Sequence, residues 1–254
     1  MKNIFMDNDL SSYYGDSRLL DLLKYNKTGE FRCVYCHEKA ETREHIPSKI
    51  YLDAPYPDNV AVLPACYECN NSYSSAEQYL GCLIDYVEYK LNKSESVRRD
   101  KIKKAFNSRP NLKKEFEKST VYKDNGQIDY IEFDVDKVKK TILKLGIGHA
   151  VYSLSELCLD PPKIISYKFL PELTEEELNN FNSGVLLDII PEIGSRGATN
   201  MTITTDGTPV ETWKIVQENQ YRYLAYIERE NITVRIVIGE YFYAEIIWNN
   251  SRIE

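Results

Sequence analysis

Four cysteines in two Cys-x-x-Cys pairs, Cys33/Cys36 and Cys66/Cys69, constrain this chain more than any other feature. Each pair places two sulfurs on one side of a Zn²⁺ ion, and two pairs complete a tetrahedral thiolate shell. A closed shell has no open position, so the expected zinc is structural. The pairs are separated by 29 residues, more than a compact zinc ribbon needs. That insert carries Glu44-His45-Ile46-Pro47, and Asn70 directly follows the last cysteine of the second pair. Two other readings of the cysteines are weaker. Cys33 to His37 has the Cys-x-x-Cys-His form of a c-type haem attachment, which leaves the second pair unexplained. A redox pair has no need of a partner pair. Cys82 and Cys158 stand alone in apolar stretches and are expected in the core.

The metal reading fits a reducing compartment, where paired cysteines more often bind metal than form disulfides. The N-terminal MKNIFMDNDL lacks the apolar stretch of a secretory signal, and no apolar run reaches the roughly 18 residues a membrane span needs. The cytoplasm is the expected location, with no membrane partner. The formal net charge of −7 weighs weakly against nucleic acid, but the charge is uneven. Residues 90–118 carry 11 basic and 4 acidic side chains. Within this block Arg98, Arg99, Lys101, Lys103 and Lys104 are the candidate DNA contacts, because Lys and Arg displace counterions from phosphates. The competing reading is a solvated helical face.

The pattern along the chain predicts an α+β protein. Residues 18–25 read as a short amphipathic helix, and residues 31–36 and 60–64 as small strands around the knuckles. From Ser74 the spacing of Leu80, Leu83, Ile84, Val87 and Leu91 predicts a helix, with Ser74 and Glu77 as its capping box. The basic block continues as helix with a break at Arg109-Pro110. Asp124-Asn125-Gly126 marks a turn. A further helix follows with Val135, Val138, Ile142 and Leu145 on one face and Asp134 as cap. Gly146 and Gly148 interrupt it or pack closely. Residues 164–169 read as a strand, and Thr174-x-x-Glu177 starts a short helix. Residues 200–205, 221–228, 232–238 and 241–248 predict an antiparallel meander. The implied organisation is a cysteine-bearing domain over 1–92, a basic helical connector over 93–126, and an α+β domain over 127–254.

The neighbours of His45 give it more than a packing role. Glu44 offers a hard oxygen ligand for Mg²⁺ or a similar ion, and Asn70 can add a carbonyl oxygen. Phosphodiester hydrolysis needs a base to activate water and a cation to neutralise the phosphate and leaving oxygen. Here the sequence resembles a known family. Cys33-x-x-Cys36, Glu44-His45-Ile46-Pro47, Asn59 and Cys66-x-x-Cys69-Asn70 occur in the order of the zinc-containing HNH endonucleases, across roughly residues 30–92. The resemblance implies a ββα-metal fold, a hairpin and a helix around one catalytic Mg²⁺ or Mn²⁺. It implies His45 as general base, Glu44 and Asn70 as ligands of that ion, and Asn59 as a brace on the His45 backbone. It implies structural zinc on the four cysteines, double-stranded DNA as substrate, and products with a 5′-phosphate and a 3′-hydroxyl. Asn71 to Ser74 supply no basic residue for phosphate contact, which leaves that task to the 90–118 block. His149 is expected to be structural. The rest of the chain is left for substrate binding, a homodimer contact or a regulatory partner protein. The alternative from another class is a non-catalytic zinc-stabilised module that binds nucleic acid or protein. A catalytic zinc hydrolase is weaker, since four cysteines leave no open coordination position.

Overall fold

The computed structural model describes residues 31–250, apart from residues 59, 127, 189, 193, 194 and 229. The amphipathic stretch at 18–25 lies outside the described residues. Strands β1 (Thr42–Ile46) and β2 (Ala61–Ala65) form an antiparallel hairpin, with His45 opposite Val62. Helix α1 (Tyr67–Leu91) follows β2 directly. The sequence reading placed a strand at 31–36. That segment is instead a turn closed by an isolated bridge between Arg32 and Lys39, because Cys33 and Cys36 must curl towards one point. The first strand among the described residues is the one carrying Glu44 and His45.

Helix α1 starts earlier than its apolar spacing suggests. Cys66 is its N-cap, and the Cys66 sulfur accepts a hydrogen bond from the Cys69 N–H at 3.3 Å. The Ser74/Glu77 capping box is therefore overturned, and Glu77 sits in the middle of the helix. The first turns of α1 face solvent with few apolar groups, and its buried run begins at Ala76. Periodicity sees only the packed part of a helix, so it located the core-facing start and missed the metal-side start.

Helices α2 (Asp100–Ser108) and α3 (Pro110–Lys118) divide at Arg109, with Pro110 in the first turn of α3. Strands β3 (Thr120–Tyr122) and β4 (Ile128–Ile131) make a hairpin that the turn signal at 124–126 anticipates only in part. Helix α4 (Val135–His149) is capped by Asp134, whose side chain accepts from the Lys137 N–H at 3.1 Å. It ends in a π turn over Ala150–Leu154.

The main sheet contains β5 (Ile164–Phe169), β9 (Lys214–Gln217), β10 (Tyr221–Ile227), β11 (Asn231–Ile238) and β12 (Phe242–Asn249). Its order is β5-β12-β11-β10-β9, antiparallel throughout. Three of the four strands expected in the meander are β10 to β12, and β5 joins them at the β12 edge. Helix α5 (Glu175–Asn182) has the expected Thr174/Glu177 capping box. Three short strands, β6 (Val185–Leu186), β7 (Met201–Ile203) and β8 (Pro209–Glu211), form a separate sheet. The strand expected at 200–205 is β7, but it pairs with β8 in this small sheet and lies outside the meander; β6 and β8 are too short to show alternation in the sequence.

One apolar cluster runs from Phe31 through α1 and α4 to Trp248. Two glycines set how α4 sits in it. A Cβ at Gly146 would lie 2.8 Å from Trp248, and one at Gly148 would lie 2.7 Å from Ile46. Helix α4 thus lies flush against the sheet at one glycine and against β1 at the other. No helix among the described residues is long and apolar enough to cross a membrane.

Candidate functional site

The four cysteines meet where the knuckle, the hairpin and the start of α1 converge. Their Sγ atoms all lie within 4.8 Å of one another. Cys36 Sγ and Cys66 Sγ are 3.7 Å apart. Four sulfurs at the usual Zn–S distance in a tetrahedron stand about 3.8 Å apart, so the set can hold a zinc ion. Two backbone bonds shape the first knuckle. Cys33 N–H donates to Glu38 O at 2.7 Å, and His37 N–H donates to Cys33 O at 2.9 Å. Cys33 and Cys66 are buried and Cys36 is exposed. Burial and the neighbouring thiols raise Cys36 to about 11 and raise Cys69 further. Burial opposes ionisation of Cys66 too, but the Cys69 N–H and the adjacent sulfurs pull it below its ordinary value. A bound Zn²⁺ would therefore displace protons from this set.

Beside the cysteines lies a second convergence. Alternation along β1 turns Thr42, Glu44 and Ile46 inward and leaves Arg43 exposed and His45 half-buried. Asn70, one residue past Cys69, donates from Nδ2 to Thr42 Oγ1 at 3.0 Å and to Arg43 O at 3.4 Å. The start of α1 is thereby stitched to the strand that carries Glu44 and His45. Glu44 is 5% exposed. Its Oε1 is 3.0 Å from Nζ of Lys144 on α4, and the same Nζ is 2.7 Å from Glu77 Oε1. Lys144 is fully buried. Burial raises the Glu44 carboxyl to about 7, Lys144 lowers it and Glu77 raises it. Glu44 Oε2 is buried without a hydrogen-bond partner, and so is the Tyr35 hydroxyl. The Tyr35 ring packs 5.5 Å from that of Tyr73.

The sequence-based set is thus divided by position. Cys33, Cys36, Cys66 and Cys69 come together, Asn70 joins β1, and Glu44 and His45 are neighbours on one strand. Asn59 lies outside the described residues. Among the described residues, no second group of three or more His, Cys, Asp or Glu side chains gathers at metal-ligand distance. A second ion near Glu44 would need Asn70, water or substrate to complete its shell. The orphaned Glu44 Oε2 fits such a cation, since a buried carboxylate oxygen without a partner is unfavourable.

The basic block has a structural side. Arg98 pairs with Asp53 at 2.5 Å and Glu88 at 3.2 Å. Arg99 is buried and grips Asp85 through Nε and Nη2, while its Nη1 donates to Ile50 O at 2.7 Å. Lys101 donates to Lys49 O and Leu52 O. These three residues anchor the segment that follows the Glu44-His45-Ile46-Pro47 motif. Lys103 pairs with Asp100 at the surface and Lys104 faces solvent.

Lys144 is the residue that sequence reasoning missed, and Glu77, read there as a helix cap, pairs with it. The available signal was a lysine inside the apolar run Ile142 to Ile147, since such a charge needs a buried partner. His149 is buried as expected, with Nε2 2.8 Å from the Tyr221 hydroxyl and its ring stacked on Tyr223. Cys82 and Cys158 are buried, also as expected. No protein-family model, curated protein or solved structure matches the chain.

Proposed function

We propose that this chain is a metal-dependent endonuclease of the HNH type that hydrolyses phosphodiester bonds in DNA. The observation that carries the reading is the stitch between α1 and β1. Asn70 bonds to the strand of Glu44 and His45 immediately beside a four-cysteine cluster with zinc-like spacing. In this reading the zinc fixes the hairpin against the helix, and Glu44 and Asn70 ligate one Mg²⁺ or Mn²⁺ ion. That ion supplies charge neutralisation on the scissile phosphate and the leaving oxygen.

His45 takes a proton from water as the water oxygen bonds to phosphorus. The bond from phosphorus to the 3′-oxygen breaks, and that oxygen takes a proton from solvent, leaving a 3′-hydroxyl and a 5′-phosphate. Imidazole is the side chain best suited to take up a proton near neutral pH. Of the five candidate contacts, Lys104 faces solvent and Lys103 lies half-buried beside Asp100, and Lys93, Arg109, Lys114 and Lys118 elsewhere in the basic block are also exposed for phosphate contact.

A second reading is favoured by one observation, the protein counter-ion already on Glu44. In that reading the cysteine cluster presents a binding surface and no chemistry occurs. Supercoiled plasmid with Mg²⁺ or Mn²⁺, an EDTA control and a zinc-retaining His45→Ala variant separate the two. The endonuclease reading expects metal-dependent nicking or linearisation that the variant loses. Equal cleavage by both proteins would remove His45 from the mechanism, and cleavage by neither would favour the binding module.

A further inference from the structure

The Glu44–Lys144–Glu77 trio joins β1, α4 and α1 at one ammonium. Two carboxylates share one lysine, so with both ionised the trio carries one uncompensated negative charge in the interior, a state that burial of Glu44 opposes and a bound cation would favour. Lys144 occupies Oε1 of Glu44 and Oε1 of Glu77, at 3.0 and 2.7 Å. The second Glu44 oxygen is buried and unpartnered, in a residue 5% exposed. Apolar replacements often match buried ion pairs in stability, so stability alone is a weak reason for such a trio. A buried carboxylate oxygen with no donor is a vacancy of charge as well as of hydrogen bonding, and a cation answers both.

The approach of α4 is built for this contact. Gly148, one turn beyond Lys144, lets α4 close on Ile46, two residues beyond Glu44. A bulkier residue there would lift Lys144 away from β1. The Lys144 ammonium also stands 5.4 Å from the ring of Tyr73, on the helix face between Asn70 and Glu77. The trio therefore lies along the same face of α1 that Asn70 begins.

We propose that Glu77 and Lys144 are positioning residues that set the charge of a divalent-cation site at Glu44. Lys144 claims Oε1 and leaves Oε2 as the oxygen that would hold the ion, and Glu77 holds Lys144 in place and would restore the net charge of −1. This rests on the proposed reading of Glu44 as a ligand of the hydrolytic metal, and it adds two residues to that site.

Charge counting gives the test. Mn²⁺ binding to zinc-loaded protein is read from the free-ion electron paramagnetic resonance signal, with zinc content and the urea midpoint recorded for each variant. With its carboxylates ionised, as cation binding requires, the wild-type trio carries a net −1. Lys144→Met leaves −2 and is expected to bind Mn²⁺ at least tenfold more tightly while cleaving plasmid more slowly, because Glu44 is no longer held. Glu77→Gln leaves zero and is expected to bind at least tenfold more weakly. The double variant Lys144→Met/Glu77→Leu restores −1 and should return to within a few-fold of the wild-type affinity.

Glu44→Gln that binds Mn²⁺ like wild type would refute Glu44 as the ligand, and with it the metal part of the functional reading. Glu44→Gln that loses Mn²⁺ while Lys144→Met and Glu77→Gln leave the affinity unchanged would overturn this proposal alone. Should Lys144→Met fail to fold, Glu77→Gln and the double variant decide, since a merely structural role predicts no opposite movement of affinity between them.

Discussion

The ion pair between Asp85 and Arg99 decides how the basic block should be read. Both side chains are buried, at 2% and 4% exposure. Arg99 gives two nitrogens to Asp85 and a third to Ile50 O. Burial pushes the Asp85 carboxyl above its ordinary range although Arg99 lowers it, so desolvation outweighs the attraction at this site. The pair as a unit then adds little net stability, while half of it is costly. Asp85→Ala strands a guanidinium in the core and is expected to cost about 3–5 kcal/mol, a large part of the roughly 5–15 kcal/mol that holds a domain folded. Asp85→Leu with Arg99→Met removes both charges. It should lose no more than about 1–2 kcal/mol, most of it from the unpartnered Ile50 carbonyl. Urea unfolding measures each variant, with the midpoint falling by 1 M or more for Asp85→Ala at a slope of about 3 kcal/mol per molar. The matching DNA measurement uses Lys103→Glu/Lys104→Glu, which should weaken plasmid binding in a salt-dependent way with the urea midpoint unchanged. Loss of under about 1 kcal/mol in Asp85→Ala would refute the buried-pair reasoning. So would an Arg99→Met variant that folds like wild type and loses DNA affinity as Lys103→Glu/Lys104→Glu does.

Other consequences are equally direct. Removing zinc with a chelator should speed amide exchange at Cys69 to Tyr73 and leave Leu80 to Val87 protected, because only the latter are held by the apolar core; equal exchange across α1 would contradict this. Gly148→Ala should destabilise by about 1–2 kcal/mol despite its better helix propensity, and Ile46→Val on the same chain should recover part of the loss in thermal melts, since the clash is with Ile46. Burial holds the His149 imidazole well below its ordinary value, with Lys214 adding to the effect. The unfolded chain therefore binds a proton that the folded one refuses, and stability falls as pH drops below about 6.5, by up to about 1.4 kcal/mol per pH unit; His149→Phe should flatten that slope in urea titrations between pH 5 and 7. A fragment ending at Asn92 lacks Lys144 and the α4 surface against Ile46, so it is expected to bind zinc yet show no cooperative unfolding transition.

What could be read from the sequence depended on whether the cause was local. The cysteine spacing announced a metal cluster because a Cys-x-x-Cys turn is a local event, and the sulfurs meet as expected. The Asp134 and Thr174 caps were legible for the same reason. Thr, Ile and Val on β11 and aromatic residues on β10 and β12 marked the meander through strand-forming residue types, since burial is nearly continuous along β10 and β11 and gives little alternation to read. The hairpin strand carrying Glu44 and His45 was harder. Its five residues include three charged or titratable side chains, so it looks like a loop until β2 is seen beside it. Glu77 matched a local capping rule in the sequence and serves a distant lysine in the fold.

Asp85 and Lys144 share one signature, a charge set in an otherwise apolar helical run. Such a residue promises a buried partner without naming it, because the partner is chosen by how helices pack. Arg99 lies 14 residues from Asp85, whereas Glu77 and Glu44 lie 67 and 100 residues from Lys144. The nearer pairing follows from the turn between α1 and α2. The distant one requires α4 to press against both β1 and α1, and Gly148 is what permits that approach. The charge that completes the candidate site therefore comes from outside the cysteine-bearing segment, so the chemistry proposed for residues 33–70 depends on a helix that the motif does not include.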